Sequence, residues 1–181
     1  MFRHLLLVLL FTAISIQSAK AIVFFEPVLG YGTGSMKFDY TDLADPTNSF
    51  SDETDLKGLG FGARGGFEFG NWQLGAEYMQ HKLKSSGVDI LEDDDFNTKE
   101  WTALIGYRFG FFRLYGGYIF SADLEDLDDV DPGQGLKAGL TFYALRNMAF
   151  SVEYRMVETN EVVTDVSYSQ VGLQLSFPFG I

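Results

Sequence analysis

From residue 24 to residue 179 the chain alternates between two textures. Segments rich in glycine and aromatic residues switch between apolar and polar at every second position, which is the period of a β-strand. Between them lie polar, acidic segments without that period. The clearest case is GARGGFEFGNWQLGAEY, Gly62 to Tyr78. One parity there is apolar or small: Ala63, Gly65, Phe67 and Phe69, then Trp72, Leu74, Ala76 and Tyr78. The other carries Arg64, Glu68 and Glu77 among glycines. The pattern predicts eight strands: Phe24–Tyr40, Lys57–Phe69, Trp72–Lys82, Glu100–Phe109, Phe112–Ala122, Gly135–Tyr143, Ala149–Val157 and Ser167–Phe179.

The connections between these strands are unequal. Gly70-Asn71, Gly110-Phe111 and Leu145 to Met148 are tight, whereas Thr41–Leu56, Leu83–Lys99, Asp123–Gln134 and Glu158–Val166 are long. Strict alternation of short and long is the plan of an outer-membrane barrel, with short periplasmic turns and long external loops. The expected fold class is therefore all-β: an eight-stranded antiparallel transmembrane β-barrel of a Gram-negative outer membrane. An even strand number places both termini in the periplasm. Hydrocarbon offers no hydrogen bonds, so a spanning sheet must close on itself. Its apolar parity then faces lipid and its charged parity the lumen. Trp101, Ala103, Ile105, Tyr107 and Phe109 should point out, and Thr102, Arg108 and Arg113 in. A soluble sandwich or a lipocalin-like barrel would turn the same apolar parity inward. Two features favour the membrane. Phe69, Trp72, Phe109, Phe112 and Phe179 gather near the turn end, where an interfacial aromatic girdle belongs, and the opposite parity carries full charges that face one another.

The first residues and the charge agree with that placement. A basic Met1–His4, an apolar Leu5–Ile16 and an Ala19-Lys20-Ala21 site have the order of a secretory signal peptide, 1–21, cleaved to leave a barrel over 22–181. The apolar run is well short of the ~20 residues a spanning helix needs. Net charge is −12 and cysteine is absent, which argues against nucleic acid as a partner and against a disulfide-stapled scaffold.

The last strand carries a family resemblance. Gln170, Gly172, Leu175 and Phe177 stand in the pattern polar-x-Gly-x-x-apolar-x-aromatic, and Phe179 continues the apolar parity. This resembles the signal by which the barrel-assembly machinery recognises its clients, although the chain ends Gly180-Ile181 rather than on an aromatic. Together with FEPVLGYGTG, Phe25 to Gly34, it makes the chain similar to the small eight-stranded outer-membrane barrels of the OmpA-transmembrane-domain and OmpX type. The resemblance implies outer-membrane lipid, lipopolysaccharide and the assembly machinery as partners, and no cofactor. It leaves activity open, because such barrels serve as structural proteins, adhesins, narrow channels and lipid-modifying enzymes.

The candidate chemistry lies in the lumen. Counting back from the Gly70-Asn71 turn sets Arg64 opposite Glu77, a cross-strand ion pair. The same counting sets Arg108 opposite Arg113, which then need Glu68 and Glu26 as acceptors, while Lys137, Glu153 and Arg155 come from the far wall. An eight-stranded barrel is just wide enough for side chains to fill it, so a plug of paired charges is expected; a narrow channel gated by exchange of ion-pair partners is the alternative. The acidic runs Glu92–Asp95 and Asp123–Asp131 lack EF-hand spacing and give no metal site. His81 points toward the lumen with Ser85 and Ser86 following. No carboxylate is obviously placed to orient its ring, so no catalytic triad is assembled and the chain reads as a non-enzyme; a rim-sited lipid-modifying enzyme is the remaining alternative. On the outer face Ala63, Ala76, Ala103 and Gly116 fall at nearly one depth. Such a band suits a homo-oligomer or an acyl chain, and it also arises by chance in a Gly-rich barrel. The expected role is an envelope structural or interaction protein.

Overall fold

The computed structural model describes residues 21–41, 49–86, 95–124, 131–159 and 164–180. The strands are β1 (Ile22–Thr41), β2 (Ser49–Phe69), β3 (Trp72–Ser86), β4 (Asp95–Phe109), β5 (Phe112–Leu124), β6 (Gly133–Leu145), β7 (Met148–Thr159), β8 (Thr164–Ser176) and the two-residue β9 (Phe179–Gly180). Each of β1 to β8 pairs antiparallel with its neighbours in sequence, and β1 pairs with both β2 and β8, so the sheet closes. Two turns need a left-handed residue and have it: Gly70 and Gly110 sit at φ of 60° and 61°, where a side chain would be strained.

β9 continues the line of β8 on β1, giving eight staves rather than nine. The predicted last strand ran unbroken to Phe179; the ladder instead breaks at Phe177-Pro178, because proline has no N–H to donate. Phe177 N still bonds the Pro27 carbonyl at 3.0 Å, and Phe25 pairs with Phe179 beyond the break.

The register fixes the barrel's shape. Lateral partners lead from Glu26 through Arg64, Glu77, Thr102, Ile119, Gly135, Val157 and Tyr168 back to Met36. One circuit thus climbs β1 from residue 26 to residue 36, a stagger of ten. With eight staves this tilts the strands by roughly 40°. Exposed apolar side chains on β2 run from Leu59 to Phe67, and with Phe69 the band is about 25 Å tall at that tilt, the height of an outer-membrane apolar belt. Trp72 packs edge-on to Tyr107 with ring centroids 4.9 Å apart, and Phe109 stacks on Phe112 at 5.9 Å. These rings lie beside the tight turns.

Most strands are longer than the alternation predicted, and the large extensions lie at the end away from the tight turns. β2 starts at Ser49 and β4 at Asp95, inside segments expected to be loops. Apolar side chains there point inward and polar ones outward: Leu56, Leu83, Leu124 and Val157 are buried, while Asp55, Lys84, Asp123 and Glu158 are exposed. The period of two persists with its polarity reversed. On β5 a bulge contributes. Trp101 faces Ser121 and Thr102 faces Ile119, which leaves Phe120 unmatched, and the extra residue puts Ala122 and Leu124 inside and Asp123 outside.

Candidate functional site

The lumen holds three polar tiers and, beyond them, one apolar tier. The middle tier centres on Arg64, which is 1% exposed. Its Nε bonds Glu77, its Nη2 donates to Glu153 at 3.2 Å, to the Tyr115 hydroxyl at 3.2 Å and to Gln174, and its Nη1 lies 3.7 Å from Glu26. Lys137 bonds Glu77 and lies 3.6 Å from Glu153. Arg113 grips Glu26 with two parallel bonds of 2.8 and 3.0 Å, the bidentate geometry that makes an arginine–carboxylate pair directional. Arg64, Arg113 and Lys137 therefore meet Glu26, Glu77 and Glu153, three charges against three. Tyr115 ties the tier together, donating to Glu153 at 2.7 Å under the Arg64 guanidinium. Its ring needs the space left by Gly139, where a Cβ would come within 2.4 Å of it.

At the turn end Arg108 faces Arg113 across the β4–β5 ladder. The repulsion is relieved by separation: Arg113 turns to Glu26, while Arg108 lies 3.8 Å from Glu68 and 4.4 Å over the Tyr143 ring. A polar vestibule of about 550 Å³ opens here, lined by Glu68, Gln73, Arg108, Tyr143 and Arg146. Further along, Arg155 meets Glu100 at 3.0 and 3.1 Å, bonds Gln170 and packs against the His81 ring, and Tyr168 donates to Glu100 at 2.6 Å.

Beyond Arg155 the charged pairs give way to a buried apolar cluster. Met36, Phe38, Leu56, Leu83, Ile119, Ala122, Leu124, Val157, Val166 and Tyr168 form one buried cluster. Paired charges thus fill only part of the described interior, and an apolar cluster lies beyond them. Leu56, Leu83, Leu124 and Val166 lay in segments read as aperiodic loops, whereas Met36, Phe38, Ile119, Ala122, Val157 and Tyr168 lay near the ends of predicted strands and were not read as a core. The available signal was alternation of opposite phase, as in Met36-Lys37-Phe38, Lys82-Leu83-Lys84 and Asp123-Leu124.

Sequence reasoning also missed Glu100, Tyr115, Gln73 and Gln174. Glu100 matters for His81, whose Nε2 lies 3.8 Å from its carboxylate; a carboxylate does stand near the ring, contrary to expectation. Arg155 nonetheless sits between them, with Nη2 3.1 Å from Nδ1 and Nη1 against Nε2. Ser85 and Ser86 end β3. Among the described residues no three of His, Asp or Glu come together to hold a metal ion. The acidic runs fall mostly outside the described residues, at 87–94 and 125–130, as do residues 1–20 of the expected signal peptide.

On the outer wall the small-residue band divides. Ala103 and Gly116, joined by Ala138, floor an apolar groove of about 700 Å³ walled by Tyr118, Leu136 and Met156. Ala63 and Ala76 lie outside it, although Ala76 is the lateral partner of Ala103. On β8 Gln170 is buried against Arg155 and Leu175 is half-buried; beyond its end Phe177 is half-buried, and Phe179 on β9 is exposed. Gly172 lies opposite Gly32 and Glu153.

The closed antiparallel barrel, greasy outside and charged within, has its counterpart in known proteins. The model of the outer membrane protein beta-barrel domain matches residues 7–109, more than half of the chain. The chain belongs to that family. Its place is accordingly the Gram-negative outer membrane. Among solved structures it resembles neisserial surface protein A, with a TM-score of 0.51 and 15% identity over 86% of this chain and 97% of that one. Ail, the attachment invasion locus protein of Yersinia pestis, aligns at a TM-score of 0.43 and 17% identity, over 85% and 98%. OprG of Pseudomonas aeruginosa aligns at 0.43 and 17%, over 91% and 99%. Identities this low speak to fold alone. No curated protein matches the chain in sequence.

Proposed function

We propose that this barrel is an envelope structural and interaction protein with a closed lumen, its termini and tight turns in the periplasm and its long strand extensions outside. The observation that carries the reading is the filling of the interior. Two cavities within the polar tiers hold about 10 Å³ each, one beside Arg64 and Arg113 and one beside His81 and Arg155, room for about one water apiece. The apolar cluster then lies across the path toward the extensions. Conduction would require charged partners to separate and a hydrophobic core to open together. The reading assigns no reaction, since the His81 ring is taken up by Arg155 and Glu100.

Planar-bilayer recording tests it. The purified protein should give no stepwise conductance above the bare bilayer; discrete, reproducible steps would favour the small-channel reading instead. The groove over Ala103 and Gly116 supports close approach of a neighbouring surface, an acyl chain or a second copy. Native mass spectrometry from mild detergent separates these, and Gly116→Phe with Ala103→Phe, both on the groove floor, should abolish whichever adduct is seen. An assembly mass unchanged by the substitutions would leave the groove without a specific role.

A further inference from the structure

Arg108 stands where the fold gains little from it. It is the direct partner of Arg113 on the β4–β5 ladder, and like charges directly opposite on neighbouring strands are destabilising. The two side chains part, but only Arg113 gains a buried partner. It grips Glu26 and donates to Gln73 and Thr141 at 3.0 and 3.2 Å. Arg108 stays 41% exposed, and the nearest carboxylate, Glu68, lies at 3.8 Å, beyond hydrogen-bond reach. Glu68 in turn already accepts from the Gln73 amide at 3.0 Å. Arg108 is nonetheless held in place, with its guanidinium 4.4 Å over the Tyr143 ring, a cation–π contact. A residue that breaks a local rule and is still kept in one position points to function.

The space beside it is a cup. The vestibule at the tight-turn end has a volume of about 550 Å³, within the roughly 300–1,000 Å³ of small-molecule sites. Its floor is closed. Glu26 is taken by Arg113, and Gln73 by Arg113 and Glu68. Inward of Gln73 and Phe24 the next space holds only about 10 Å³, so a solute that enters stops there. The lining is of two kinds: Phe24, Tyr143, Pro178 and Phe179 are apolar, and Arg108 and Arg146 are cationic. Arg146, exposed on the turn between β6 and β7, has no ion pair among the described residues. With Glu26 neutralised by Arg113, two guanidinium groups face the single carboxylate of Glu68. In a chain of net charge −12, this cup keeps an excess of positive charge.

We propose that this vestibule is a binding site for a small monocarboxylate with an apolar body. The guanidinium fork of Arg108 matches the two oxygens of a carboxylate, Arg146 adds the second positive charge, and the body lies against Tyr143 and Phe24. The ring of Tyr143 holds the fork ready, so less freedom is lost when the ligand arrives. The charge excess selects a monoanion, because the second charge of a phosphate would stand against Glu68. The site belongs to the turn end alone and does not rest on which way the barrel faces.

The test is an NMR titration of the full chain in lipid nanodiscs, read at the Gln73 side-chain amide on the vestibule floor. The probes are benzoate, acetate, benzylamine and inorganic phosphate. Benzoate should move the Gln73 signal saturably, and at lower concentration than acetate, which lacks the body, or phosphate. Benzylamine, the same ring with the opposite charge, should leave it unmoved. R108Q should weaken benzoate about tenfold, the share of one hydrogen-bonded charged group, and R146Q by a smaller factor. K57Q, at the far end of β2, should change nothing. Benzoate that dissolves in the lipid does so equally for every variant, so the comparison isolates the site. No response to benzoate, or the same midpoint in R108Q as in the unaltered chain, would overturn the proposal. So would acetate or phosphate acting as strongly, which would reveal attraction of any anion. R108Q should unfold in urea at or above the midpoint of the unaltered chain, because its pairing with Arg113 is relieved. A lower midpoint would make Arg108 a packing residue, and R146Q on its exposed turn then decides: benzoate binding that it leaves intact removes the site.

Discussion

Replacing Arg64 with methionine tests the closed lumen most directly. Methionine keeps an apolar stem of comparable reach, so the main change is charge. Arg64 answers Glu26, Glu77 and Glu153 at once; without it three carboxylates share Arg113 and Lys137. The site is dry, since the cavity beside it holds about 10 Å³, so one negative charge is left without a counter-charge or a hydration shell. Removing one partner of a buried ion pair costs about 3–5 kcal/mol, a large part of the 5–15 kcal/mol that typically separates folded from unfolded protein. Arg64→Met together with Glu77→Gln restores neutrality. It should recover a large share of the loss, with a coupling energy of about 2–3 kcal/mol in the double-mutant cycle. Reversible urea unfolding in lipid vesicles reads both, because Trp72 and Trp101 are about half exposed on the lipid-facing wall and report departure from the membrane. A single-variant cost below about 1 kcal/mol, with additive effects in the double, would refute the reasoning. It would mean that water replaces Arg64 freely, and a lumen that admits water so readily is not closed.

Three further outcomes follow from the same geometry. Tyr115→Phe removes the hydroxyl bonded to Glu153 and Arg64 and should cost about 1–3 kcal/mol, while Gly139→Ala drives a methyl into the Tyr115 ring and should cost a similar amount by overpacking; urea midpoints measure both. Leu83→Ala, in the apolar cluster, should cost about 2–5 kcal/mol as in the core of a soluble protein. Leu59→Ala on the lipid face should cost distinctly less, because mobile chains refill the space, and equal losses would contradict the two environments. Gly172→Ala should leave the unfolding midpoint unchanged, since a Cβ there approaches nothing closer than 3.7 Å, yet slow insertion into membranes that contain the assembly machinery. A destabilised but normally assembled variant would make that glycine a packing requirement.

Within the membrane the architecture was legible because one rule governed the outer face of every strand: apolar residues point out, and the charged ones are held inside. Arg64 and Glu77 could be placed opposite each other by counting from a two-residue turn, and the register agrees. Counting weakened where a hairpin gave no close reference. Lys137 and Arg155 could be assigned only to the far wall, because their partners Glu77 and Glu100 belong to strands that are distant in sequence. Glu100 was passed over since it began a predicted strand, at a position where end effects mask parity. Tyr115 reads as one more aromatic of a greasy strand until its parity is set beside that of Arg113. The Phe120 bulge left no mark in composition at all, because a bulge is a property of the pairing of two strands.

The reversal of polarity along the staves accounts for the main misreading and also locates the membrane. A strand that crosses from lipid to water keeps its pleat, so successive side chains still alternate, but the solvent on its outer face changes from hydrocarbon to water. The stable pattern must then invert: the outer parity becomes polar and the inner parity is free to be apolar. Near the crossover both parities are mixed, and a search for alternating apolar residues returns nothing. On β2 the outer parity changes from Leu59 to Lys57 and Asp55 while the inner parity changes from Arg64 to Leu56, across three glycines, Gly58, Gly60 and Gly62. On β3 Tyr78 gives way outside to Lys82 and Lys84, as Glu77 gives way inside to Leu83. The two inversions occur at matching height on paired strands, Lys57 opposite Lys84 and Leu56 opposite Ser85. Matching height is what a planar boundary imposes. A soluble barrel with a polar core would have no reason to exchange both faces at one level, and a pore meant to conduct would gain nothing from an apolar tier placed where its charged path ends.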